Sequence, residues 1–293
     1  VIKIYLVLLI GIISVSLSSI LIKLTYDVPA IIISSYRLII ASLILVSYAK
    51  FKKIGVKTKT GRDLMIATVS GLFLSIHFIT WIASIKYTSI ASSVTLVSTS
   101  PVFVIIISFL LFREKPTAIT LIATVVAILG TALIAYTDKN IAPNSQYPNP
   151  LFGDFLAILG AFAVSIYFIS GSHLRKYMQT FQYITLVYSS AAIFTTAFAL
   201  LSSKPFFGYR TVSYVYMVLM AVIPQLFGHT SFNWALKHLK ASAVAISTLG
   251  EPIGATILAY IFFHQTVSQL KLLGMVMVIF SIAVAIKGSR HTN

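Results

Sequence analysis

Hydrophobic residues fall in runs of about 20, the length a helix needs to cross about 30 Å of hydrocarbon. Short stretches holding most of the charge separate them. The pattern predicts ten helices, near residues 4–22, 29–49, 64–85, 90–112, 117–136, 151–171, 180–202, 213–235, 241–263 and 267–286, here spans 1 to 10. Span 1 follows Lys3 directly and is full length, so it is expected to be a membrane span rather than a cleaved signal.

The one sizeable polar stretch, 137-TDKNIAPNSQYPNP-150, divides the chain into halves of five spans, 1–137 and 151–288, joined by 138–150. The halves are alike. In the first, 81-WIASIKYTSIASSVTLVSTSPVFVIIISFLLFRE-114 runs from a Trp through small residues to a Pro and an apolar run. In the second, 234-WALKHLKASAVAISTLGEPIGATILAYIFFHQ-265 does the same. Pro101 and Pro252 match at a spacing of 151, as do Glu114 and Gln265, whereas Trp81 and Trp234 are 153 apart. Five is odd, so the second copy must lie upside down in the bilayer. The expected fold is an all-α polytopic membrane protein of ten transmembrane helices in two inverted repeats. That architecture serves transporters, whose halves rock about a shared midplane site; the alternative is a duplicated scaffold without transport.

Composition agrees. The chain is 58% hydrophobic and 10% charged, with a mean hydropathy of +0.96; a soluble domain carries about 25% charged residues. The net charge of +16 reads as topology rather than nucleic-acid binding, because the basic residues alternate between loop sets and form no patch with aromatics. One set holds Lys3, the six from Lys50 to Arg62, Arg113, Lys115, Arg175, Lys176, Lys237, Lys240, Lys287 and Arg290. The other holds Lys23, Lys86, Lys139, Lys204, Arg210 and Lys271. The richer set belongs in the cytoplasm, which predicts cytoplasmic termini in a plasma (inner) membrane. Zero cysteines exclude disulfides, thiolate catalysis and cysteine-ligated metals.

The Trp–small–Pro–apolar–Glu block in 81–114 and its partner in 234–265 resemble the EamA repeat of the drug/metabolite transporter superfamily. So do 36-YRLIIASLIL-45 and 153-GDFLAILGAFAVSIYF-168. The resemblance implies ten helices, a central cavity walled by spans 1, 3, 4, 6, 8 and 9, and secondary transport of small metabolites, often amino-acid export. The halves depart from each other in two places: Gln265 stands where the repeat usually ends in Glu, and Thr117–Leu121 lacks the glycine-rich start seen at 270-LKLLGMVMVIF-280.

Polar residues at membrane depth are costly and usually face protein or water, so they are the candidate site. Two are charged, Arg37 in span 2 and Glu251 in span 9. Glu251 has four readings: pairing with Arg37, titration as a proton carrier, binding of a cationic substrate group, or a neutral carboxyl donating to the carbonyl that Pro252 frees near Thr248. Arg37 is read as a coupling or structural charge.

Helical spacing adds further candidates. His77 and Trp81 share a face of span 3 with Ser70 and Ser84, and Gln225, His229 and Asn233 form a stripe on span 8 beside Trp234. Span 4 offers Thr95, Ser98 and Thr99; span 6 offers Ser165, Tyr167 and Ser170; span 1 offers Ser14 and Ser18. The alternative for the hydroxyls is helix packing with a bond back to the preceding turn, and for the aromatics lipid-facing anchoring. The substrate-binding set is therefore read as His77, Trp81, Ser98, Thr99, Tyr167, His229, Asn233, Trp234 and Glu251, suited to an amphipathic zwitterion.

The expected function is secondary transport of small organic metabolites, with export the favoured direction and protons a candidate coupling ion. No cofactor or metal is expected. The alternatives are a superfamily relative carrying phosphorylated metabolites or nucleotide sugars, which would need more basic residues inside the spans than Arg37 alone, and a polytopic membrane enzyme. No HExxH, GxSxG, DDxxD-like or phosphate-loop pattern is present, and the six acidic residues are scattered. Enzymatic activity is not expected.

Overall fold

The computed structural model describes residues 2–88, 90–138, 148–263 and 268–288. Most of the connection at 138–150 lies outside the described residues, as do Lys139, Gln265 and Arg290. The helices are α1 (Ile2–Leu24), α2 (Ala30–Phe51), α3 (Gly61–Tyr87), α4 (Ile90–Val97), α5 (Ser100–Phe112) and α6 (Ala118–Asp138) in the first half. The second half holds α7 (Pro150–Leu174), α8 (Thr180–Leu201), α9 (Thr211–Met220), a π-helical segment (Ala221–His229), α10 (Thr230–Ala235), α11 (Ala241–Thr248), α12 (Glu251–Phe263) and α13 (Gln269–Gly288). Among the described residues nine segments are long and apolar enough to cross a bilayer, and Ala118–Ile134 is a shorter apolar helix. Outer faces carry exposed side chains such as Leu111, Ile193 and Phe280, as contact with lipid requires.

Spans 4 and 9 are not the continuous helices expected at 90–112 and 241–263. Each stops and restarts, at Ser98–Thr99 and at Leu249–Gly250. Proline lacks an N–H and clashes with the carbonyl four residues back, but is tolerated in a first turn. Pro101 and Pro252 are the second residues of α5 and α12, so each opens a new helix rather than bending an old one. Span 8 is also irregular. Pro224 lies within the π-helical segment, where the ordinary ladder of hydrogen bonds is lost.

The halves are joined by paired, symmetric contacts. α3 packs on α7 as α1 packs on the π-helical segment, and α5 meets α7 as α12 meets α1. The symmetry extends to single bonds. Ser16 Oγ of α1 donates to Glu251 O at 3.1 Å, and Ser165 Oγ of α7 donates to Ser100 O at 2.9 Å. Two further pairs close on the pseudo-twofold. α2 and α8 are tied by Ser42 and Ser189 (2.8 Å) and by Ser35 Oγ donating to Thr195 O (3.1 Å). α6 and α13 cross at Gly130 and Gly274, where an added Cβ on either would lie under 3 Å from the other's carbonyl oxygen. With no water-driven hydrophobic effect between helices in lipid, such close approach and interhelical bonds carry the association.

Opposite ends of the bundle carry matched ties between halves. At one end Asp27, after α1, accepts from Ser213 Oγ (2.7 Å) and the Arg210 amide (3.1 Å) before α9. At the other, Asp63 in the first turn of α3 accepts from Tyr177 OH (2.7 Å), after α7. Asp63 also completes a capping box with Thr60, which fixes where α3 begins. Position 27 matches 177 and position 63 matches 213 at a spacing of 150, so acid and hydroxyl exchange places between the repeats.

Candidate functional site

The broken ends of spans 4 and 9 converge with α1, α3, α7 and the end of the π-helical segment on one internal cavity of about 50 Å³. That is room for roughly three or four waters. Its apolar wall is Val15, Val97, Val164, Phe168 and Phe232; its polar wall is Ser18, His77, Trp81, Ser98, Ser100, His229, Thr248 and Glu251. Among the described residues no Lys or Arg lines it, and Glu251 is its one acid.

Each polar group is placed by its own element. His77 and Trp81, one turn apart on α3, stack at 5.9 Å with rings 5° from parallel. His77 Nδ1 lies 2.9 Å from Gly160 O. The carbonyl accepts, so the neutral ring offers Nε2 as an acceptor. His229 closes the far side, 6.5 Å from His77 and edge-on to Phe78 at 5.1 Å. Ser98 and Thr99 sit in the turn between α4 and α5, their hydroxyls donating back to Val94 O (2.6 Å) and Leu96 O (2.7 Å). Glu251 is the first residue of α12, where the helix's positive end stabilises a negative charge. Three polar atoms of the lining are buried without a hydrogen-bond partner: Trp81 Nε1, His229 Nδ1 and Glu251 Oε1.

Behind this lining lies a second polar layer. Arg37 is wholly buried; its Nε donates to Gln225 Oε1 (2.8 Å), its Nη1 to Ser18 Oγ (3.2 Å), and its Cζ lies 4.0 Å from the Phe78 ring. It makes no hydrogen bond to Glu251, but the two charges lie near enough to attract each other through space, so of the pairing considered from sequence the electrostatic part is present and the direct contact is not. Asn233 Nδ2 donates to Tyr167 OH (2.5 Å) and Tyr188 OH (3.2 Å).

Of the nine substrate-binding candidates, His77, Trp81, Ser98, His229 and Glu251 therefore line the cavity. Thr99 does not, because its turn directs the hydroxyl onto Leu96. Tyr167 and Asn233 bond each other one layer back, with the Tyr167 ring 6.3 Å from His229. Trp234 lies elsewhere, with Lys3 Nζ 5.6 Å from its ring and His238 at 4.4 Å. The reason is angular. Five residues past His229 is about 140° around a helix, whereas Phe232, three residues on, returns to the cavity face. Of the remaining candidates, Ser70 bonds Tyr183 OH (2.9 Å) and Ser84 bonds Ser93, both as packing contacts. Sequence reasoning missed Ser100, Phe168, Phe232 and Thr248. The repeat register held a signal for Ser100, since it matches Glu251.

Comparison with known proteins fits this arrangement. Residues 2–136 and 151–287 each match the EamA-like transporter family. The chain belongs to that family. It is therefore a multi-pass membrane transporter. It is 25% identical over 264 residues to the uncharacterized transporter YetK of Bacillus subtilis, covering 88% of this chain and 79% of the relative. It is 24% identical over 259 residues to human solute carrier family 35 member G1, covering 85% and 69%. A solved crystal structure 14% identical superposes with a TM-score of 0.78 over 97% of this chain and 96% of the other, which shows the shared fold.

Proposed function

We propose that this transporter carries small amphipathic organic metabolites bearing an ammonium group, amino acids and similar compounds among them, by alternating access through the central cavity. One observation carries the reading: a single unpartnered carboxylate, Glu251, in a cavity otherwise walled, among the described residues, by hydroxyl, imidazole, indole, phenyl and aliphatic groups. An ammonium would complete that carboxylate, and the aromatic walls would take the apolar part of the cargo. A phosphorylated cargo would want converging cations, and among the described residues none lines the cavity. The uneven loop charge supports cytoplasmic termini in a plasma membrane, and export is the direction favoured.

Glu251 is also the proposed exchange point for a coupling proton, since among the described residues it is the one acid facing the cavity. The test is counterflow and gradient-driven uptake in proteoliposomes, with a panel of amino acids, amines and related metabolites. At least one amine-bearing compound should exchange in the native protein. Glu251→Gln should abolish uphill accumulation while exchange persists at reduced rate. A native protein that exchanges no member of the panel overturns the substrate class, and pH-driven accumulation unchanged in Glu251→Gln overturns the coupling role.

A further inference from the structure

A second recess, of about 30 Å³, lies where the C-terminal part of α5 and the start of α6 meet the first turn of α11. It shares no residue with the central cavity. Its polar lining is Lys115, Lys240, Glu114, Ser108, Thr120 and Ser242. Both lysines belong to the richer loop set, the one read as cytoplasmic. Chain orientation accounts for basic loops in general. It does not account for two lysines from different repeats meeting in one recess among hydroxyls.

Neither lysine is neutralised there. Among the described residues, Lys115 and Lys240 make no hydrogen bond or ion pair, with Glu114 or any other acid. Lys240 is half-buried all the same, which takes water from a cation without returning a partner. The fold does not demand these charges. At the 151-residue spacing that pairs Pro101 with Pro252, Lys115 matches Thr266 and Lys240 matches Ser89 in sequence, neither of them basic. Two lysines and one glutamate sum to a net charge of +1, which a single phosphodiester would neutralise. The volume takes roughly two water-sized atoms, as many as the free oxygens of that group. Ser108, Thr120 and Ser242 supply hydroxyl donors beside the lysines. The surroundings indicate where such a phosphate comes from. Leu111, one turn past Ser108 on α5, and Leu121, early in α6, are exposed on the outer surface, where acyl chains run.

We propose that this recess binds the headgroup of an anionic glycerophospholipid, with Lys115 and Lys240 on its phosphate and its acyl chains along the exposed faces of α5 and α6. Anionic lipid of the cytoplasmic leaflet would be drawn to this end of the bundle. The consequence is mechanical. α5 and α6 belong to the first repeat and α11 to the second, so one headgroup bridges the halves. α5 begins at Ser100 and α11 ends at Thr248, and both residues line the central cavity. Bound lipid therefore favours the conformation in which these helices meet. The proposal is independent of what the cavity carries and of the reading of Glu251.

The experiment uses the purified full chain, stripped of lipid in a neutral detergent so that no charged bilayer surface contributes. Phosphatidylglycerol, phosphatidylcholine and inorganic phosphate are titrated in turn at fixed salt. Binding is read by native mass spectrometry and by thermal shift. Phosphatidylglycerol should be retained and raise the melting temperature, phosphatidylcholine should do so weakly, and inorganic phosphate should not. The double change Lys115→Gln with Lys240→Gln should weaken phosphatidylglycerol about tenfold or more, the loss of charge-assisted bonds to one phosphate. Lys50→Gln with Lys57→Gln removes the same charge from exposed positions of the same loop set and should change it less than about twofold. If the double change at the recess fails to fold, Lys240→Gln alone decides, with an expected loss of about threefold. Equal losses in the two lysine pairs would reduce the effect to general surface charge and overturn the site. Equal binding of phosphatidylglycerol and phosphatidylcholine overturns the selection for an anionic headgroup. Inorganic phosphate binding as tightly as phosphatidylglycerol overturns the lipid as its source.

Discussion

Trp81 combines a packing contact with a donor left unused. Its ring is held by the stack on His77, and its indole N–H is buried without a partner. A buried donor left unpaired costs about 1–3 kcal/mol, so the fold gains nothing from that proton. Trp81→Phe keeps an aromatic ring on His77 and deletes the donor. Its apparent melting temperature should therefore fall little, while the transport Km rises about tenfold, the size of one hydrogen bond to cargo. A normal Km would show that the indole faces no cargo. The residue scale is also where the sequence was least legible. Ser16 and Ser165 both donate to the carbonyl four residues back, at 2.7 and 2.6 Å, as serines in helices commonly do. Their second bonds, to Glu251 and Ser100, appear only once the halves are packed. Trp234 erred the other way. Matching letters across repeats suggested matching places, but the helix phase set by His229 turns that ring off the cavity.

At the scale of elements, the ten apolar runs and their inverted duplication were readable because bilayer thickness and odd span number leave few alternatives. The breaks were not. Pro101 and Pro252 advertised irregularity without saying whether a helix would kink or restart, and nothing in 213–235 except Pro224 hinted at a π-helical turn. Both kinds of irregularity sit beside the cavity, where backbone polar groups can meet polar partners rather than lipid. The α6–α13 crossing makes an opposite case, in which regular helices depend on missing side chains. Gly130→Val must push against the backbone of Gly274, with contacts of 2.8 Å to its carbonyl and 3.0 Å to neighbouring side chains before any relaxation. Overpacking of this kind costs about 1–3 kcal/mol. A clear drop in melting temperature in detergent is expected for Gly130→Val. Gly55→Ala, where an added Cβ meets nothing within 4 Å, should leave it unchanged. Equal melting of the two would mean that the crossing does not carry the association of the halves.

Across the whole molecule, the cavity is small while both end ties, Asp27 with Ser213 and Tyr177 with Asp63, are formed together. The proposed cargo, of amino-acid size, would need more than about 50 Å³, so its loading would require one end to part. Because the two ties are symmetry mates on opposite sides of the bundle, breaking one should bias the opening toward its own side. The absence of native cysteines makes this directly measurable, since a single Ser98→Cys reports on the cavity without background. With that reporter, Asp27→Asn should speed labelling by a membrane-impermeant thiol reagent from the Asp27 side, and Tyr177→Phe from the Asp63 side. Equal acceleration from one side by both changes would defeat the assignment. The ties should also be indifferent to the pH at which coupling is studied. Burial alone would raise Asp27, but hydrogen bonds from Ser213 and the Arg210 amide outweigh it and hold the carboxyl below its ordinary 3.8. Burial and the bond to Asp63 push Tyr177 up to about 12, which keeps the phenol a donor. For a depressed carboxylate the stabilisation is complete above the ordinary value and lost only as pH falls through the lower, folded one. Asp27→Asn should therefore change transport rate without changing the shape of its pH profile between about pH 5 and 8, the window in which a cavity group would act. A profile displaced along the pH axis by Asp27→Asn would place the titrating group at the end of the bundle instead of at Glu251.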